Sequence, residues 1–300
     1  MKRSWARVPD ESDGLAMPPL FNAVDGIAKT KQTTLLRLRK VEFVSLVVAA
    51  AFAEVPGDQL WGLGPVAALV FFGVALLVRV SRSDERAERA WYDARAAAES
   101  VKSLSWQYAV AGEAFRRDDA QADEQYRSAL REVLGSFTDL DIPVGTQQTA
   151  VTTEMRSLRA MSLDERRSKY LEARVDDQLG WYTRKADWNR SRATWWRWGV
   201  IALEALAVLL GLARALEWFD VDWLGIFAAA AAAVLAWQQT KNYLGLSQAY
   251  AITSHDVSLV KDSMGAESTE DQWAQAVHDA EAAFSREHTL WRARRQGPVR

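Results

Sequence analysis

Four apolar stretches, residues 41–55, 63–80, 198–216 and 223–237, interrupt an otherwise polar chain, and they come in two close pairs. Crossing a hydrocarbon core of roughly 30 Å takes about 20 apolar helical residues, with about 17 as the lower limit. The second and third stretches reach that length; the first and fourth are marginal. The pattern predicts two transmembrane helical hairpins, against the alternative of two buried hairpins in the core of a soluble bundle.

Charge placement separates these readings, because short loops that stay in the cytoplasm keep their Lys and Arg. Residues 1–40 carry eight Lys or Arg, residues 81–194 carry nineteen and the tail from Gln238 carries seven, whereas 56–62 and 217–222 carry none. Both hairpin tips are therefore expected outside, with the N-terminus, the centre and the C-terminus in the cytoplasm of a cell bounded by this inner membrane. A soluble bundle has no need of such asymmetry. Trp61, Trp195, Trp196, Trp198, Trp218, Trp223 and Trp237 fall at the ends of the stretches, where an amphipathic ring suits the headgroup region. Ala51-Phe52-Ala53 before Glu54 resembles a signal-peptide cleavage pattern, but residues 1–40 make an implausibly long polar lead.

Outside the hairpins the pattern is helical throughout, and no segment reads as a strand. From Ser83 to Phe115 there is no proline, and Trp91, Ala94, Ala98, Val101, Ser105, Tyr108, Gly112 and Phe115 recur at intervals of three and four, the stripe of a long helix. A second stripe follows the last apolar stretch: Tyr243, Leu246, Tyr250, Thr253, Val257, Val260 and Met264. Ser162-Leu163-Asp164-Glu165 fits a capping box, and the next helix is expected to run without a break into the third apolar stretch. A last helix is expected from about Ser268, with Trp273, Val277, Ala280, Phe284 and Trp291 on one face. The fold class is thus all-α. The expected organisation is a flexible arm at 1–22, a two-span unit at 23–138, a linker at 139–161 and a second two-span unit at 162–300.

The halves read as diverged copies. Laying Val41-Glu42 over Leu203-Glu204 brings Trp61 over Trp223 and Asp58 over Asp220 without a gap.

Composition narrows the chemistry. A formal net charge of -2 offers no basic field for nucleic acid. With no Cys, disulfides, thiolate catalysis and Cys-ligated zinc are excluded; His255, His278 and His288 stand far apart without a metal-ligand spacing, so a metal site would have to come from carboxylates alone. No phosphate-loop or dinucleotide-binding glycine pattern is present, and the run Ser254-His255-Asp256 puts neighbouring side chains on diverging faces of a helix. We expect no enzyme and no cofactor. The sharper leads are ionisable groups within the spans, Glu42, Glu54, Glu204 and Arg214, since such groups turn towards protein or water. Glu42 and Glu204 would form acidic rings in an oligomeric pore, or else sit shallowly at the interface and only fix assembly.

The runs Thr153-Glu154-Met155-Arg156-Ser157-Leu158-Arg159 and Tyr170-x3-Arg174-x3-Gln178-x2-Trp181-Tyr182-x2-Lys185-Ala186, with the tail Glu281-Ala282-Ala283-Phe284-x2-Glu287-His288-x2-Trp291, resemble the SLATT superfamily, the SMODS and SLOG-associating two-transmembrane effectors. The match covers most of residues 150–295, and the first half resembles the family more loosely. The resemblance implies a membrane effector of bacterial conflict systems, one that oligomerises in the lipid bilayer and perturbs the inner membrane when a nucleotide-sensing or nucleotide-synthesising partner signals. A non-conducting, membrane-anchored scaffold is the alternative. Arg174, Gln178, Trp181, Tyr182 and Lys185 would either clamp neighbouring helices or bind a ligand, and Glu287 and Trp291 belong to the closing motif.

Overall fold

The computed structural model describes residues 14–54, 63–142, 149–218, 223–264 and 269–296, with the side chains of 285–296 left aside. These residues form ten α-helices: α1 Pro19–Ala53, α2 Leu63–Ser81, α3 Ser83–Val110, α4 Ala122–Ser136, α5 Thr153–Ala160, α6 Leu163–Tyr170, α7 Asp177–Ala215, α8 Trp223–Lys241, α9 Tyr243–Ser263 and α10 Glu270–Gln296. A 3-10 turn covers Glu113–Phe115, and a π-helical turn at Leu171–Asp176 joins α6 to α7 into one continuous rod. Among the described residues there is no strand.

The helices sort into two compact units that interleave along the chain. Unit 1 takes residues up to 29, 90–186 and from 248 on; unit 2 takes 30–89 and 187–247.

Unit 2 holds both hairpins. In the first, Glu42 faces Arg79 at 3.4 Å and Phe52 stacks on Phe71 at 5.9 Å, so the end of α1 runs antiparallel to α2. In the second, the Gln238 amide donates to the Trp196 carbonyl at 3.5 Å, and a Cβ on Gly211 would stand 2.4 Å from Leu224, so α7 and α8 lie antiparallel in close contact. Missing side-chain bulk at such a point is what lets two spans approach. Three helical rods are long and apolar enough to cross a membrane: Leu63–Ser81, Leu163–Ala215 through its apolar part 198–215, and Trp223–Ser263. Stretch 41–55 is not among them: its described part closes α1 behind Arg37, Arg39, Lys40 and Glu42, which shorten the apolar run. In the three spans only 11, 11 and 6% of the most apolar residues are buried, and Leu69, Leu77, Val208 and Leu209 are at least 63% exposed. A continuous apolar surface of that kind belongs against lipid rather than water.

The duplication is visible in the second helix of each hairpin. Both α2 and α8 have 19 residues, and each ends at one residue with positive φ, Arg82 at 49° and Asn242 at 46°, before the chain resumes as α3 or α9. These helices keep an offset of 160 residues, whereas the ends of α1 and α7, Ala53 and Ala215, keep 162. The gap-free register therefore fails at the tips: the second connection is shorter by two residues, and Leu63 rather than Trp61 corresponds to Trp223. Trp61, Asp58 and Asp220 lie outside the described residues.

Unit 1 is a helical bundle around Trp106, Tyr108, Phe115, Tyr126, Tyr170 and Trp273, each no more than 1% exposed. The stripe predicted for α3 is its buried face, with Ala94, Ala98, Val101 and Ser105 all at 0%. The helix stops at Val110, short of Phe115, because Ala111 turns left-handed at φ 59° and the Gly112 N–H closes on the Gln107 carbonyl at 2.7 Å. The predicted capping box is present, with both reciprocal bonds between Ser162 and Glu165.

Two segments expected to be loose, 1–22 and 139–161, are packed in part of their described residues, while 1–13 and 143–148 lie outside those residues. Leu15 and Phe21 are 6% and 7% exposed, the Ala16 N–H donates to Glu154 at 3.0 Å, and α1 opens at Pro19, whose fixed φ suits a first helical turn. Of the expected linker 139–161, residues 153–160 form α5, capped by the Thr152 hydroxyl, with Val151, Met155 and Leu158 in the core. Polar residues dominate this stretch, and a few apolar anchors, Leu140 among them, hold it.

Candidate functional site

The most heavily built polar site lies inside unit 1, where the π-helical turn meets α10. Arg174 is 2% exposed and donates twice to the Glu281 carboxylate, Nε to Oε1 at 3.0 Å and Nη2 to Oε2 at 2.8 Å; Glu281 is 1% exposed. The Tyr170 hydroxyl donates to the same Oε1 at 2.9 Å, and the Phe284 ring lies 5.0 Å from the guanidinium. Burial pulls the Arg174 guanidinium down, but the Glu281 charge and its hydrogen bonds outweigh this and hold it above its ordinary value. Burial, with the Glu281 charge beside it, raises the Tyr170 phenol well above 10. A π turn adds a residue to the helical cycle and re-aims side chains, which is why such turns recur at built sites.

One turn of chain away, the C-terminus of α3 is held by cations and an indole. The Val110 carbonyl accepts from Arg166 Nη1 at 2.7 Å and from Trp273 Nε1 at 2.8 Å, and Arg166 Nη2 also pairs with Glu270. Arg159 donates to the carbonyls of Tyr108, Phe115 and Arg116 at 3.0, 2.7 and 2.6 Å. These donors satisfy carbonyls that a helix end otherwise leaves orphaned.

The other family-motif residues extend the same surface of the rod. Trp181 meets Tyr182 at 5.1 Å and Tyr250 of α9 at 5.3 Å, and Lys185 sits 5.4 Å from the Trp181 ring. Gln178 is 5% exposed. This is the geometry of a clamp between helices. Glu287 and Trp291 lie on α10 beyond the described side chains.

The charged residues of the hairpins do not behave alike. Glu42, expected either in an acidic ring of an oligomer or shallow at the interface against a neighbouring helix, is 5% exposed and belongs to an ion cluster: Arg79 at 3.4 Å, Arg39 at 3.6 Å, and Arg39 in turn to Asp84 at 2.8 Å. Its neighbours on the inner face of α1, Leu35, Ser45 and Ala49, are buried too, which is the helix-contact alternative rather than the ring for Glu42. Glu204 is exposed within the apolar part of α7 and has no partner among the described residues. Glu54 is half-buried in the turn after α1, and Arg214 is exposed in the last turn of α7.

Sequence reasoning missed Glu281 and Tyr170 as partners of Arg174, and Arg159 and Arg166 as caps. All four stand in or beside the quoted motifs. The signal that would have found them is an acidic residue on the buried stripe of the last helix.

Two family models match the chain: SMODS and SLOG-associating 2TM effector domain 3 over residues 18–167, and domain 1 of the same series over residues 170–291. Their junction falls where α6 passes into the π turn. No curated protein and no solved structure matches the chain. With a hairpin, a one-residue break and a long returning helix in each half, and a family model over each, the chain belongs to the SLATT family as a tandem of two-transmembrane effector domains.

Proposed function

We propose that this protein is an effector of a bacterial conflict system, a role with which SLATT domains are associated, and that it acts by perturbing the inner membrane as an oligomer. The termini and the helical unit 1 lie in the cytoplasm in this reading, and unit 1 receives the signal from a nucleotide-sensing or nucleotide-synthesising partner. The observation that carries it is Glu204. A carboxylate on the apolar surface of a spanning helix is costly against lipid, and it has no partner within the described chain. A second copy of the chain, or water in a shared pore, removes that cost; the alanine run 228–233 of α8 gives helices room to come close.

The test is induced expression with a potential-sensitive dye. Wild-type protein should depolarise the cells, and Glu204→Gln should weaken the effect at equal membrane insertion. A normal potential at high, membrane-inserted expression would overturn the proposal.

One observation favours the scaffold reading. Ile252 and Leu259, seven positions apart on α9 of unit 1, are 64% and 69% exposed and offer an apolar strip to another protein. Partner capture with unchanged liposome permeability would select it.

A further inference from the structure

Within unit 2, two lysines converge on one indole. Lys40 Nζ and Lys241 Nζ each lie 5.4 Å from the Trp237 ring, close enough for their charges to act on one another. The neighbouring Arg39 and Arg79 are tied to Glu42 and Asp84. Lys40 and Lys241 have no carboxylate partner among the described residues. Like charges held side by side are unfavourable, and the ring's negative face offsets only part of that. An anion between them removes the repulsion.

The depth of the pair says which anion. Lys40 is the last basic residue of α1 before Val41 and Val44, which are 45% and 60% exposed, and Lys241 closes α8 six positions after Leu235, 43% exposed. The ammonium groups therefore stand where apolar surface gives way to polar, with an indole alongside, the level of lipid phosphates. The Trp237 ring is itself half-buried. Lysine binds phosphate as a point charge and needs no forked geometry.

We propose that Lys40, Trp237 and Lys241 form a binding site for a phosphate group, at this depth that of an anionic phospholipid. The site rests on the membrane placement but not on conduction. It ties the two hairpins to one lipid, because Lys40 belongs to the first and Lys241 to the second.

Native mass spectrometry of the full chain in detergent, with phosphatidylglycerol or phosphatidylcholine added, tests it without any ion flux. Wild-type protein should retain the anionic lipid preferentially. Lys40→Gln/Lys241→Gln should lower that retention roughly tenfold, and Lys40→Arg/Lys241→Arg should keep it, which separates charge from fold. Equal retention by the glutamine variant, or equal retention of the two lipids by wild type, overturns the site. Displacement of the lipid by inorganic phosphate would move the assignment to a soluble phosphate and overturn the lipid.

Discussion

Arg174 and Glu281 stand 107 positions apart and share two hydrogen bonds, 3.0 and 2.8 Å long, where neither side chain reaches water. Removing one member of such a pair strands the other's charge, at about 3–5 kcal/mol, whereas replacing both by apolar residues of similar volume is often neutral. Arg174→Met and Glu281→Leu should each lower the melting temperature of the detergent-solubilised chain sharply, and the double variant should recover most of the loss. Additive losses would show that the pair is not coupled.

Gly112 sits where α3 ends, and a Cβ there would stand 2.9 Å from a methyl of Val277, itself fully buried on α10. Gly112→Ala should therefore destabilise unit 1 by about 1–3 kcal/mol, the usual cost of overpacking. Val277→Ala opens room, so the double variant should be more stable than the sum of the single effects predicts. Thermal unfolding of the four proteins measures this directly, and simple additivity would refute the contact.

Burial pushes the Tyr126 phenol up to about 12, with the Ser105 hydroxyl pulling the other way, and Tyr108 and Tyr170 are raised as well. A phenol raised in the folded state keeps its proton after the unfolded chain has lost it. The stability it contributes is full below its unfolded value of about 10 and is lost as pH rises towards about 12. Phenolate absorbance near pH 11 should be lower for native than for unfolded protein. Tyr126→Phe should remove part of that gap; coincident native and unfolded curves would rule it out.

The chain has no cysteine, so single probes can report topology. Glu217→Cys, in an exposed turn after α7, should react with a membrane-impermeant thiol reagent in intact cells, and Asp118→Cys between α3 and α4 only after lysis. The reverse pattern would invert the proposed orientation.

Much of this architecture was legible in the sequence because it depends on local periodicity. The stripes on α3 and α9 and the capping box at Ser162 need only spacings of three and four residues. What was not legible depends on distant partners. Tyr170, Arg174 and Glu281 all stood in recognised motifs, yet nothing local says that residues 107 positions apart will meet. The π turn left no composition signal, and α5 hid in a polar stretch because a few apolar anchors suffice. Glu42 and Glu204 aligned in sequence but part company in space, since one lies on an inward helix face among arginines and the other among exposed aliphatics.

The buried carboxylate that answers Arg174 is carried by α10, the last of the described helices. During synthesis both hairpins and the other described helices leave the ribosome before it does, so the nascent bundle holds a bare cation until α10 emerges. A product cut short before Glu281 leaves that charge uncompensated inside unit 1, so it should stay open to proteolysis where the product that includes α10 is closed.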